Sequence, residues 1–157
     1  MQLPLADAVA ALKSVLEDPA ILKIGQNLKY DCLVMARYGV KIAPIDDTML
    51  ISYALDTGRG NHGMDGLSER HLGHACISFK EVIAKAVVQD KKEERTFAKV
   101  PISEATAYSA EDADITLRLW EVLKPRLPAE RMTTVYETLE RPQIGRASCR
   151  ERVCLAV

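Results

Sequence analysis

Gly25-Gln26-Asn27-Leu28-Lys29-Tyr30-Asp31 is the stretch on which the reading of this chain turns. It follows a short, apolar, partly β-branched run, Ile21 to Ile24, and opens a segment suited to a helix reaching about Arg37. The pattern predicts a buried strand ended by Gly25, a helix capped by Asn27, and a stop at Gly39. A second stretch, Tyr108-Ser109-Ala110-Glu111-Asp112, shares one feature with it: an acid lies four positions after a polar residue. On a helix that spacing stacks Asn27 over Asp31 and Tyr108 over Asp112. Two such helices, face to face, would bring two carboxylates and a phenol together, which suits a hard divalent cation and a phosphate.

Outward from these stretches, residues 6 to 17 read as a helix with Val9, Leu12 and Leu16 on one stripe, halted at Asp18-Pro19. Val40 to Ile45 reads as a second strand, and Asp46 or Asp47 as the cap of a helix over 48–55. The glycine-rich tract 56–63 is a loop, followed by short helices over 64–72 and 78–86. Residues 89–95 carry mixed charge and read as a solvated connection. Ser103 caps a long helix to about Lys124, with Ala110, Ala113, Leu117 and Trp120 as its buried stripe. Pro125 and Pro128 break it, and 129–140 restarts with Met132, Val135 and Leu139 in register. The fold class is α/β, helix-rich, around a small sheet. Two strands are few for 157 residues, so further strands are expected upstream of Met1.

Composition bounds the function. The length suits one domain, and the net charge of −1 advertises no global attraction for nucleic acid. Without an apolar run long enough to span a bilayer, no membrane partner is expected and the protein reads as cytoplasmic. The four cysteines show no Cys-x-x-Cys spacing, and His71, His74 and Cys76 fit no common zinc pattern. Arg59, Arg70 and Lys80 read as surface charges, with Arg59 in its glycine-rich loop also able to meet a phosphate.

Asp31 and Asp112 are the candidate metal ligands and, with Tyr108, the candidate catalytic group. Asp114 points about 200° away from Asp112 on a helix and falls outside the site. A phenol with an intrinsic pKa near ~10 serves better to orient an attacking water than to deprotonate it. Asn27 can cap its helix and also reach substrate, with Gln26 and Lys29 beside it and Lys29 within reach of a phosphate.

KIGQNLKYD (23–31) with YSAEDAD (108–114), separated by DDTMLISYALD (46–56) and GMDGLSERHLG (63–73), closely resembles the 3′–5′ proofreading exonuclease domain of bacterial DNA polymerase I, a family A polymerase. The likeness runs to Glu140-Arg141-Pro142. It implies a ribonuclease H-like exonuclease fold and two-metal hydrolysis with Mg²⁺ or Mn²⁺. It also implies a single-stranded DNA 3′ end as substrate, and the polymerase domain of the same parent chain as partner. By the same resemblance Asp31 and Asp112 hold metal and Tyr108 orients the water. Gln26, Asn27, Lys29, Tyr30, Asn61 and His62 would contact the strand. The family's first motif, Asp-x-Glu on an N-terminal strand, occurs nowhere in this sequence. The expectation is a partial exonuclease domain over 1–142 that lacks its N-terminal strands and has little or no hydrolytic activity. Residues 143–157 read as a non-native tail resembling a translated sequencing adapter. Two other readings remain open: a ribonuclease D-like RNA-trimming exonuclease, and a non-catalytic scaffold of the same fold.

Overall fold

The computed structural model describes residues 3–88 and 94–144. The chain runs α1 (Leu5–Leu16), β1 (Lys23–Gly25), α2 (Leu28–Ala36), β2 (Ile45–Asp47), α3 (Thr48–Leu55), α4 (Met64–Leu72) and α5 (Phe79–Ala84). A 3₁₀ turn (Phe97–Lys99) then leads to the long helix α6 (Ile102–Leu123) and the short helices α7 (Arg126–Ala129) and α8 (Thr133–Val135), closed by a π turn over Tyr136–Glu140. The charged run at 89–95 lies largely outside the described residues.

Among the described residues the sheet has two strands, β1 and β2, parallel, with Lys23 opposite Ile45 and Gly25 opposite Asp47. Both strands start later than the apolar runs predict, because the flanking backbone is bonded elsewhere. Ile21 N–H donates to Asp18 O in the turn that ends α1. Lys41 N–H goes to the Glu17 side chain and Ala43 N–H to Leu16 O, so residues 41–43 are tied to the end of α1. Pro44 has no N–H to offer. Gly25 makes room at the strand exit: a Cβ there would meet the Leu28 side chain at 2.4 Å and push it aside.

The main core joins Ile51, Ala54 and Leu55 of α3, Leu67 of α4, Ile115, Leu119 and Leu123 of α6, Leu127 and Tyr136. The buried stripe of α6 is therefore Ile115-Leu119-Leu123, an i, i+4, i+8 row, and the expected stripe is corrected. Ala110, Ala113 and Leu117 are exposed, and Trp120 is half-buried against the core. Leu117 lies two residues from Ile115, about 200° round the helix, so the two cannot share a face. Ser103 is not the cap either, since α6 begins at Ile102 behind Pro101 with no side-chain cap bond. After the prolines, Met132 and Val135 pack on the core, but Leu139 is exposed and Tyr136 takes the fully buried place. Helix α1 keeps its apolar period but buries no residue, leaving Leu5, Leu12 and Val15 exposed. Beyond Pro142, Ile144 packs on Leu28 and Cys32, and the remaining tail lies outside the described residues.

Candidate active site

The segment holding Asn27 and Asp31 is built by β2 and α3 as much as by itself. Asn27 sits at the N-cap position of α2 but in the left-handed region, φ 58° and ψ 45°, and its side chain makes no cap bond. The expected capping role is thus corrected: the capping oxygen comes from Asp47. The fully buried Asp47 carboxylate accepts from Asn27 N–H at 3.2 Å and Leu28 N–H at 2.7 Å. It also caps its own helix α3, accepting from Met49 N–H at 2.9 Å and Leu50 N–H at 3.3 Å. One carboxylate therefore serves donors at two helix starts, where orphan N–H groups and helix dipoles favour negative charge.

Its neighbours complete the corner. Thr48 Oγ1 lies 3.1 Å from Gly25 O and 2.5 Å from Gln26 Oε1, and Gln26 Nε2 donates to His62 O at 2.9 Å. His62 Nδ1 is 2.9 Å from Ser52 Oγ, and its ring meets Tyr53 edge-on. Asn61 Oδ1 accepts from Gly63 N–H at 2.7 Å and shapes the entry to α4. Two expected substrate residues, Gln26 and His62, are thus directly linked to each other. Tyr30 is largely exposed, Lys29 half-buried, and the Asn27 carboxamide has no partner among the described residues.

Asp31 stands on the exposed first turn of α2. Desolvation by the surrounding protein raises its pKa, opposed by its own backbone N–H. On α6 Tyr108 and Asp112 stand one helical turn apart, close enough for each to shift the pKa of the other. Partial burial, then the charge of Asp112, push the Tyr108 hydroxyl up to about 12, so it stays a protonated donor throughout the neutral range. Burial raises Asp112 as well; the nearby Tyr108 hydroxyl works against this, while the charges of Glu111 and Asp65 add to it. The Tyr108 ring packs 6.0 Å from both Phe79 and Phe97, which stack on each other. Glu111 turns the other way, bonding His74 Nε2 at 2.9 Å and Ile77 N–H at 2.6 Å, and ties the segment after α4 to α6.

Sequence reasoning missed Phe79, Phe97, Glu111 and the second task of Asp47. The aromatic pair is invisible locally because it joins residues 18 apart across two turns of chain. The acidic pair before Thr48 was a visible signal, since one cap needs only one acid.

A family model described as 3′-5′ exonuclease matches residues 1–128. The chain belongs to the 3′-5′ exonuclease family. Similar curated proteins include DNA polymerase I of Rhizobium leguminosarum, 56% identical over 141 residues, and that of Pseudomonas aeruginosa, 42% identical over 143. These alignments cover 90% and 88% of this chain but only 13% and 15% of those proteins. Among solved structures, Brucella melitensis NrnC with bound Mg²⁺ superposes with a TM-score of 0.68 at 23% identity, over 92% of this chain and 63% of that one. That likeness shows an exonuclease fold, as expected for a helix-rich α/β chain with a small sheet.

The donor set of this exonuclease-family chain suits a divalent metal in kind but not in number. Asp31 and Asp112 offer hard carboxylate oxygens, the ligands Mg²⁺ and Mn²⁺ take. Yet no group of three or more His, Cys, Asp or Glu among the described residues is placed to hold an ion. The described residues do not form a complete cation site, and no reaction step is derived through one. No helix among them is long and apolar enough to cross a membrane.

Proposed function

We propose that this chain is the substrate-holding part of a proofreading 3′–5′ exonuclease in a DNA polymerase I, acting on the single-stranded 3′ end of DNA. The observation that carries this reading is the Tyr108–Asp112 pair on α6. A phenol kept protonated up to about 12 has a proton to donate and oxygen lone pairs with which to orient a water, and it is not a base at neutral pH. Asp112 and Asp31 supply two of the carboxylates that two-metal phosphodiester hydrolysis needs. Gln26, Asn27, Lys29, Tyr30, Asn61 and His62 form the strand-contacting side. Of these, Asn27 and Tyr30 are the exposed groups best placed to meet a nucleotide, through a carboxamide with no partner among the described residues and an open aromatic face. With no Asp-x-Glu anywhere in the sequence, the chain holds a strand better than it cleaves one.

The resemblance of the intervening segments to DNA polymerase I supports DNA over RNA. The test is binding and hydrolysis measured together. The 157-residue chain is titrated into labelled single-stranded DNA, RNA of the same sequence and blunt duplex DNA, then incubated with each in Mg²⁺ or Mn²⁺. Preference for single-stranded DNA with little release of mononucleotides is expected. Full-rate, metal-dependent degradation would overturn the expectation of inactivity, preference for RNA would favour the ribonuclease D-like alternative, and no binding to any would favour the scaffold.

A further inference from the structure

The left-handed backbone of Asn27 has a consequence for which residue controls the site. Asparagine is a preferred N-cap, and in that role its side chain turns back onto the first N–H groups of its own helix. Here that place is taken from a distance of 20 residues, by Asp47 reaching Asn27 N–H and Leu28 N–H. Asparagine tolerates the left-handed region better than most side chains, but the conformation persists only when its surroundings impose it. Asp47 is itself fixed: its backbone N–H donates to the Tyr136 hydroxyl at 3.0 Å, and its residue pairs with Gly25 across the sheet.

We propose that Asp47 is a positioning residue for the strand-binding segment 26–31: by capping α2 from β2 it holds Asn27 left-handed and leaves the Asn27 carboxamide free for a nucleotide. The proposal rests on the exonuclease reading. Without the Asp47 carboxylate, Asn27 becomes an ordinary N-cap, its φ turns negative, and its side chain is withdrawn onto the N–H groups of α2. Asp47 touches no substrate and acts entirely through Asn27 and the start of α2.

Asp47→Ser tests this, because serine still caps α3 but is too short to reach Leu28. Asp47→Asn, which keeps the shape and one acceptor oxygen, replaces it should the serine variant fail to fold by circular dichroism. NMR of the 157-residue chain gives the sign of the Asn27 φ angle through its strong intraresidue HN–Hα contact, expected in the wild type and lost in the variant. Binding of fluorescein-labelled oligothymidylate is then compared across Asp47→Ser, Asn27→Gly and the double variant. Glycine keeps the left-handed backbone while removing the carboxamide. Each single change is expected to weaken binding about tenfold, the scale of one hydrogen bond to a charged group, and the double change no further than either single. A general loss of structure would instead give losses that multiply, and that result overturns the proposal. So does an Asn27 φ that stays positive in both Asp47 variants. Should the wild-type chain fail to bind the oligonucleotide, the exonuclease reading falls, and the Asn27 φ angle still decides whether Asp47 sets this segment.

Discussion

The corner formed by Asp46, Asp47 and Thr48 and the turns carrying the exposed Asp31 and the half-buried Asp112 use the same chemical group in opposite ways. At the corner every carboxylate is saturated. Asp46, fully buried, accepts from Trp120 Nε1 at 2.8 Å and from the Tyr136 hydroxyl at 3.0 Å, and lies 2.9 Å from the Lys124 ammonium. Burial alone would raise its pKa, but these donors outweigh it and hold Asp46 below the ordinary carboxylate range. Asp47 beside it faces only backbone N–H groups, and there burial wins and its pKa rises. On α2 and α6, Asp31 and Asp112 are raised by desolvation, and among the described residues neither makes an ion pair. Saturated acids hold the scaffold together. Under-partnered acids are what a site for cations and phosphates requires.

The largest effect that sharpens this contrast is expected at Asp46. Asp46→Ala leaves the Trp120 indole N–H and the fully buried Tyr136 hydroxyl without their acceptor, while the part-exposed Lys124 ammonium keeps Glu137, and should cost about 3–5 kcal/mol, read from the urea unfolding midpoint. Leu119→Ala, at the centre of the main core, should cost about 2–5 kcal/mol by the same measurement, whereas Leu117→Ala on the exposed face should stay within about 0.5 kcal/mol. Asp31→Asn should likewise change stability by less than about 0.5 kcal/mol, and a loss above 2 kcal/mol would break the contrast by making Asp31 a scaffold acid.

Stability against pH should show the same division. Asp46 and Asp56 are held below their ordinary values, Asp46 by its donors against burial and Asp56 chiefly by the Arg126 guanidinium. Their contribution is complete above the unfolded carboxylate pKa of ~4 and is lost as pH falls through the depressed folded values. Asp47, Asp31 and Asp112 run the other way, being raised, so protonating them in acid favours the folded state. At the alkaline end Tyr108 ionises near ~10 when unfolded and at about 12 when folded, so its contribution is lost across that interval. Tyr108→Phe should flatten that part of the curve, as measured by thermal unfolding at closely spaced pH values.

How much of this was legible in the sequence follows the range of the interactions. Local periodicity placed α1, α2, α3 and α4 within about a residue at most ends, and it put Tyr108 and Asp112 on one continuous helix, a turn apart. What escaped was set by partners far along the chain. The strands shrank because 41–43 bonds to the end of α1, and the Asn27 cap was taken over by an acid 20 residues on. The face of α6 was misread because small alanines mimic a buried stripe, while Ile115, Leu119 and Leu123 carry the volume that fills the core. Tyr136, in a segment read by its Met132-Val135-Leu139 register, holds Asp46 and Asp47 together from 90 and 89 residues away.

The claim that Asp31 and Asp112 are the working acids is tested most directly by titrating Mn²⁺ into the isotope-labelled chain and following paramagnetic line broadening in its NMR spectrum. Broadening that begins at the amides around Asp31, Tyr108 and Asp112, and spares Asp46 and Asp47, is the predicted result. Broadening that begins at other acids, or none at millimolar Mn²⁺, would contradict it.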